Sequence, residues 1–374
     1  MKKRLRVGVI GTGMVAQIMH LPYLCELEEL YELRALCDSS RTALEHCGRR
    51  FGVSRLFTEW DELLNEDLDA VFVLTSGSHA APAVAAAEAG RHVFVEKPLC
   101  YSTCEGTGML AAAEKSNVVL MVGYPKRYDP AYRRAAEIVR GLEDLRFARV
   151  TTLEAPYEPY VAHHRFLQGR DITKAQVEQW RDGLSRLVDE AIGSAEDQAR
   201  VVYEAVLIDT MVHEFNLLRG MLGEPSSVRF ASLDKTSVTV VLDFGGVGCT
   251  VTWLDLPGIA DYVMEACFYD AGTRVRLAFL SPYLKNVPTP LEVTTGLAGG
   301  PALLRSDEVV SYENPFKLEL IAFYEAVTGL CEPLTPGLDA LRDIALCQSV
   351  VESARSGLSK PRPTEIASYD GGTR

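Results

Sequence analysis

An apolar run, Leu5–Ile10, passes directly into Gly11-Thr-Gly-Met-Val-Ala16 and then into a helix-compatible segment. No other feature limits the fold as much. In a strand–G-x-G-x-x-A–helix unit the first glycine permits the tight turn and the second lets backbone approach a pyrophosphate. The small third residue lets helix and strand pack closely. The new helix contributes free N–H groups and a positive partial charge for phosphates. Gly11, Thr12, Gly13, Met14 and Val15 are therefore the expected phosphate cradle. The next apolar run ends on Asp38, where a carboxylate can accept from both hydroxyls of an adenosine ribose. Its charge favours NAD over NADP. Arg41, with Ser39 and Ser40, is the alternative, a clamp for a 2′-phosphate.

The pattern repeats. Apolar runs at Leu5–Ile10, Tyr31–Cys37, Ala70–Leu74, His92–Val95 and Val118–Val122 alternate with helical stretches such as Ala80–Ala89 and Ser102–Ser116. Strands that are apolar throughout and separated by helices imply a parallel sheet covered on both faces, an α/β doubly wound fold. After Arg149 the texture changes. Val228–Leu233, Ser237–Phe244, Val247–Leu254, Val263–Tyr269 and Arg274–Leu280 succeed one another through turns such as Asp243-Phe-Gly-Gly-Val and Asp270-Ala-Gly-Thr. They predict a large, open-faced, mainly antiparallel sheet in an α/β domain. The chain of 374 residues divides at about residue 145 into a dinucleotide-binding domain, 1–145, and a substrate and oligomerisation domain, 146–374. Alternation of Cys249, Val251 and Trp253 with Thr250, Thr252 and Leu254 leaves one face of the sheet needing cover, so a homo-oligomer is expected. Ser368–Arg374 reads as a disordered tail.

Net charge is −13, with no basic run, which argues against a nucleic-acid partner. The basic start, Met1-Lys-Lys-Arg, is followed by only a short apolar run before Gly11, so no signal peptide is expected. Nothing approaches the roughly 18 apolar residues of a membrane span. The nine cysteines are scattered without a CxxC pair. Cys100 and Cys104 lack further zinc ligands, and adjacent His163 and His164 diverge, so no metal site is expected. The reading is a cytoplasmic protein with reduced thiols.

Two further segments carry chemistry. The run His92–Val95 ends in Glu96-Lys97-Pro98, and catalytic groups in open α/β sheets belong at the carboxyl ends of strands. An expected helix, Tyr203 to Leu222, carries Asp209, His213 and Asn216 at helical spacing, a polar stripe among Val206, Leu207, Ile208, Met211, Val212 and Phe215. Such a stripe needs partners or a ligand. Together these segments resemble the glucose–fructose oxidoreductase / inositol dehydrogenase / MocA (Gfo/Idh/MocA) family. The likeness includes Val9-Ile-Gly-Thr-Gly-Met-Val-Ala16, His79 opening a helix that closes at Ala89-Gly90, and Gly90-Arg-His-Val-Phe-Val-Glu-Lys-Pro-Leu99. It continues through Met121-Val-Gly-Tyr-Pro-Lys-Arg-Tyr-Asp-Pro130, the Asp209…His213 segment, and Phe323-Tyr-Glu-Ala-Val-Thr-Gly…Pro333-Leu-Thr-Pro-Gly…Ser353-Ala-Arg-Ser-Gly357.

The resemblance implies a Rossmann domain followed by an open-faced sheet, with C-terminal helices packing back on the first domain and a nicotinamide held between the two. It implies Lys97, His213 and Asp209 as catalytic residues, and a cis Lys97–Pro98 bond. Thr75, His79, Glu96, Lys97 and Arg127 would join the cofactor site. Lys97, Tyr124, Asp209, His213 and Asn216 would bind a polyol, sugar or cyclitol. His213 is the expected general base and Lys97 the group that stabilises the alkoxide, with the assignment between them left open. The sequence departs from the family in Met211 for a common Gly, Asn216 for a common Asp, and a longer polar stretch at about 157–203. That stretch would line the substrate pocket or a subunit contact. The expected activity is NAD(P)-dependent oxidation or reduction at a secondary alcohol or ketone. The alternatives are NAD-dependent glycoside cleavage through transient oxidation, and a non-catalytic nucleotide-sensing regulator.

Overall fold

The apolar runs of the first third pair as parallel strands in a computed structural model that describes residues 3–357. They are β1 (Leu5–Ile10), β2 (Tyr31–Cys37), β3 (Arg55–Phe57), β4 (Ala70–Val73), β5 (His92–Glu96) and β6 (Leu120–Gly123). Their order is β3-β2-β1-β4-β5-β6, all parallel. Val7, Val9, Val71, Phe72, Val73, Val93, Phe94 and Val95 are all fully buried, as strands covered on both faces must be. The order reverses between β1 and β4, which opens a crevice at their carboxyl ends. Asp38, Thr75, Lys97 and Tyr124 each come just after a strand end at this edge. The sequence pattern does not reveal β3, whose three residues are too few for one.

The second sheet comprises β7 (Leu145–Glu154), β8 (Ser227–Leu233), β9 (Ser237–Phe244), β10 (Val247–Asp255), β11 (Val263–Asp270), β12 (Thr273–Leu280), β13 (Leu291–Gly296) and β14 (Leu303–Glu308). Its order is β14-β13-β12-β11-β7-β10-β9-β8. The expected hairpins close where predicted, and Gly245 and Gly246 both take positive φ, 62° and 101°, between paired Phe244 and Val247. β7, not evident in the sequence, is central: it pairs antiparallel with β11 and parallel with β10. The sheet is therefore mixed. Cys249, Val251 and Trp253 face inward with Val240, Leu242, Ala266 and Phe268, in one core with Phe215, Leu218, Ile344 and Val351 from helices Val212–Leu222 and Gly337–Gly357.

Helix Pro315–Val327 packs on the first sheet. Phe323 meets Phe72 and Phe94 edge-on at 5.3 and 5.6 Å, and Tyr31 donates its hydroxyl to Leu320 O at 2.5 Å. Among the described residues no helix is long and apolar enough to cross a membrane. The expected tail, Ser368–Arg374, lies outside the described residues.

Candidate active site

The glycine turn has the shape a dinucleotide needs. Gly11 sits at φ 97°, and a Cβ there would come within 2.6 Å of the Leu74 carbonyl carbon, so only glycine fits. A Cβ on Gly13 would meet no protein atom within 4 Å. That opening lies above the turn, beside exposed Gly13 and partly exposed Met14 and Val15. Asp38 Oδ2 accepts from Thr12 N at 2.6 Å and Thr12 Oγ1 at 2.9 Å, and Oδ1 accepts from Ser40 N at 2.8 Å. These bonds fix the carboxylate beside the turn with lone pairs to spare for ribose hydroxyls. Across the groove Thr75 Oγ1 is buried without a partner. An open cradle, a fixed acceptor and an orphaned hydroxyl together fit a dinucleotide. Ser39 and Arg41 are exposed at the rim.

Lys97 comes directly after β5 and joins Pro98 through a cis bond. Its Nζ donates to Asp209 O at 2.6 Å and Asp209 Oδ1 at 2.9 Å. Asp209 belongs to a π-helical segment, Tyr203–Met211, that continues as the α-helix Val212–Leu222. His213, one turn on, lies edge-on to Tyr124 with ring centroids 5.7 Å apart at 90°. Its Nδ1, Tyr124 Oη and Thr210 Oγ1 are buried without partners. Burial, with the charges of Lys126 and Lys97, holds the imidazole well below the usual histidine range, so it is neutral and available as a base. Lys97, Asp209, His213 and Tyr124 thus gather at one end of the crevice.

Two residues here were not anticipated from the sequence. Lys126, part-buried beside the Phe279 ring, is pushed down to about 8 by burial and by Lys97, against Glu214 and Glu154. Glu214, fully buried, is pushed up to about 7 by burial, against its bond from Thr152 and the Lys126 charge. A lysine beside Arg127 in a stretch already singled out was the available signal for Lys126. Nothing in the sequence distinguishes Glu214 from a solvent-facing helical glutamate.

Four expected site residues point elsewhere. Asn216 is fully buried, and its Nδ2 donates to Asp339 Oδ2 at 2.9 Å and Asp343 Oδ2 at 2.7 Å. Arg127 donates to Asn216 O and Oδ1 at 3.0 Å and to Leu334 O at 3.4 Å. Both serve a buried network against the final helix. Asn216 lies on the α-helical part, Val212–Leu222, and Asp209 on the π-helical part, Tyr203–Met211. His79 is 2% exposed, with its ring nitrogens 2.8 and 2.7 Å from Pro98 O and Thr75 O, so it staples two loops. Glu96 turns inward, with Oε1 2.5 Å from His20 Nε2 and Oε2 accepting from Lys97 N at 3.0 Å. Glu319 lies beside this pair, and ligating atoms of His20, Glu96 and Glu319 fall within 4.8 Å of one another. Burial and the Glu96 charge hold Glu319 well above the carboxylate range, so Glu319 keeps its own proton.

The inserted stretch leaves the second sheet and crosses to the elements around the first. Tyr160 Oη donates to Ala260 O at 3.0 Å, and Leu167 exchanges backbone bonds with the Gln17 amide, both at 2.9 Å. Asp171 ends the crossing on Ser40 and Thr42. Helix Lys174–Ile192, opened by a Thr173/Gln176 capping box, then returns to the final helix, where Gln348 donates to Ala191 O at 2.6 Å.

Residues 5–124 match the family model described as an oxidoreductase family with an NAD-binding Rossmann fold. An uncharacterized oxidoreductase, YrbE, of Bacillus subtilis is 23% identical over 365 residues, 96% of each chain. A myo-inositol 2-dehydrogenase of Thermotoga maritima is 29% identical over 236 residues, 59% of this chain and 67% of its own. Among solved structures, a UDP-N-acetylglucosamine 3-dehydrogenase of Acidithiobacillus ferrooxidans superposes with a TM-score of 0.72 at 20% identity. That likeness covers 96% of this chain and 100% of the other.

Proposed function

Because residues 5–124 match the model of an oxidoreductase family with an NAD-binding Rossmann fold, we propose that this enzyme acts on a secondary alcohol or ketone of a sugar, sugar derivative or cyclitol. The nicotinamide supplies the hydride chemistry at its C4 when bound. The observation that carries the reading is a lysine ammonium fixed on Asp209 next to a neutral imidazole whose Nδ1 has no partner. These groups lie at the carboxyl end of the strand two places from the glycine turn.

Each side chain then has a task. The backbone of Gly11–Val15 receives the pyrophosphate and Asp38 the ribose. Neutral His213 takes the hydroxyl proton as the substrate carbon loses hydride. Lys97 stabilises the oxygen as its charge develops, at low reorganisation cost because Asp209 already holds the ammonium in place. Tyr124 packs against the imidazole and fixes its tilt. Lys126 adds a second positive charge toward the same oxygen. Substrate class is supported by the relatives: one is named for a cyclitol and one solved structure for a nucleotide sugar, both dehydrogenated at a ring carbon.

The test is a panel of cyclitols, aldoses and nucleotide sugars with NAD+ and NADP+, monitored as absorbance of reduced nicotinamide. Turnover of at least one ring alcohol is expected; failure of the whole panel would remove the proposal. We further place the protein in the cytoplasm, where the nine free thiols stay reduced. We also read it as a homo-oligomer through the second sheet's outer face. Light scattering of the purified protein at the mass of one chain would exclude that.

A further inference from the structure

We propose that Asp171, carried on the inserted strap, makes this enzyme select NAD against NADP. The inference rests on the nicotinamide-nucleotide reading of the groove and adds the residue that sets its preference. A 2′-phosphate extends from the same ribose edge that Asp38 addresses, so the residues just beyond β2 must receive it. Beside the exposed side chains of Ser39 and Arg41, the donors fixed at the start of helix Arg41–Phe51 are Ser40 Oγ, Thr42 N and Thr42 Oγ1. Asp171 has taken all three. Ser40 Oγ donates to its Oδ1 at 2.5 Å, Thr42 Oγ1 to Oδ1 at 2.7 Å, and Thr42 N to Oδ2 at 3.1 Å. A phosphate dianion would find these donors satisfied and a like charge in place.

The strap is anchored on both sides of Asp171. Upstream, Leu167 pairs in both directions with the side chain of Gln17, whose Nε2 also donates to Thr12 O in the glycine turn at 2.7 Å. Arg50, in the helix that Ser40 caps, donates to Arg165 O. Gly169 passes so close to Ser40 that a Cβ there would lie 2.1 Å from Ser40 Oγ. Downstream, Thr173 opens the long helix within two residues of Asp171. The carboxylate is therefore delivered by backbone held at both ends. Asp38 alone disfavours a 2′-phosphate by charge, whereas Asp171 also removes the hydrogen bonds that would offset it.

Dissociation constants for NADH and NADPH decide the matter, read from nicotinamide fluorescence on the full-length protein without substrate. Wild type should prefer NADH by about 100-fold or more, and Asp171→Ala should narrow that ratio by about 10-fold, chiefly by tightening NADPH. Asp171→Asn, which keeps an acceptor oxygen but drops the charge, should fall between them. The gain in NADPH affinity should shrink as salt screens the remaining charges. An unchanged ratio in Asp171→Ala with normal NADH binding would overturn this inference alone. Equal affinities of wild type for the two nucleotides would overturn it as well. Failure of wild type to bind either nucleotide would overturn the nucleotide reading, and this inference with it.

Discussion

Lys97 and His213 are the residues on which turnover should depend and binding should not. Replacing either with Ala removes a group that the proposed mechanism sets on the reacting oxygen, so kcat/KM should fall by about 100- to 10,000-fold. The NADH dissociation constant should stay within about 3-fold; variants with near-normal turnover would refute the assignment. The acid limb of the pH profile carries a second sign. His213 is held well below the usual histidine range by burial and two lysines, so activity should persist below about pH 6.5, where an ordinary imidazole would be protonated. Glu319 offers a prediction about stability. It is fully buried, neither oxygen has a partner, and burial with the Glu96 charge holds its proton well above the ordinary carboxyl range. The folded state thus keeps a proton that the unfolded chain releases near pH 4.3, and this stabilisation is lost as pH rises through the folded value. Glu319→Gln should match wild type near pH 5 and gain about 2 °C in Tm by pH 9. Parallel Tm curves would refute it.

The glycine turn separates folding from binding at the scale of one element. A Cβ at position 11 strikes backbone and demands positive φ, whereas one at position 13 meets only open groove. Gly11→Ala should therefore lower Tm and abolish NADH binding. Gly13→Ala should keep Tm within about 1 °C and still weaken NADH by about 10-fold or more. Thermal unfolding and fluorescence titration on the same samples distinguish the two. This element was fully legible in the sequence because glycine positions encode backbone shape directly. So were the parallel strands, whose apolar runs need no partner to be recognised. β7 was not, because Arg146 and Arg149 on its outer side break the apolar run, and it is the surrounding sheet that makes it a strand. The polar stripe was half legible. Spacing placed Asp209 near His213, but Asn216 bonds Asp339 and Asp343, partners more than a hundred residues away that spacing cannot show. The strap was visible only as an insertion, since its contacts are with residues more than a hundred positions away.

Across the whole molecule helix Val212–Leu222 is tied to helix Gly337–Gly357 by a buried cation. Arg219 donates to Asp343 Oδ1 at 2.6 Å, Asp339 Oδ1 at 2.9 Å and Glu224 Oε1 at 2.7 Å. Asp343 is fully buried and pushed up to about 7, burial outweighing the Arg219 charge. Arg219→Met would leave that carboxylate without its cation, and should cost about 3–5 kcal/mol in urea unfolding. A loss under about 1 kcal/mol would mean the network relaxes through protonation. A further long-range tie joins the first sheet to helix Pro315–Val327. Tyr31, Phe72 and Phe94 are roofed by Leu320 and Phe323, contributed after the second sheet is complete. A ribosome that has just released residue 145 has made a half-shingled sheet, with aromatic rings still wet. The nascent nucleotide half must linger, tethered and sticky, until its roof emerges from the exit tunnel.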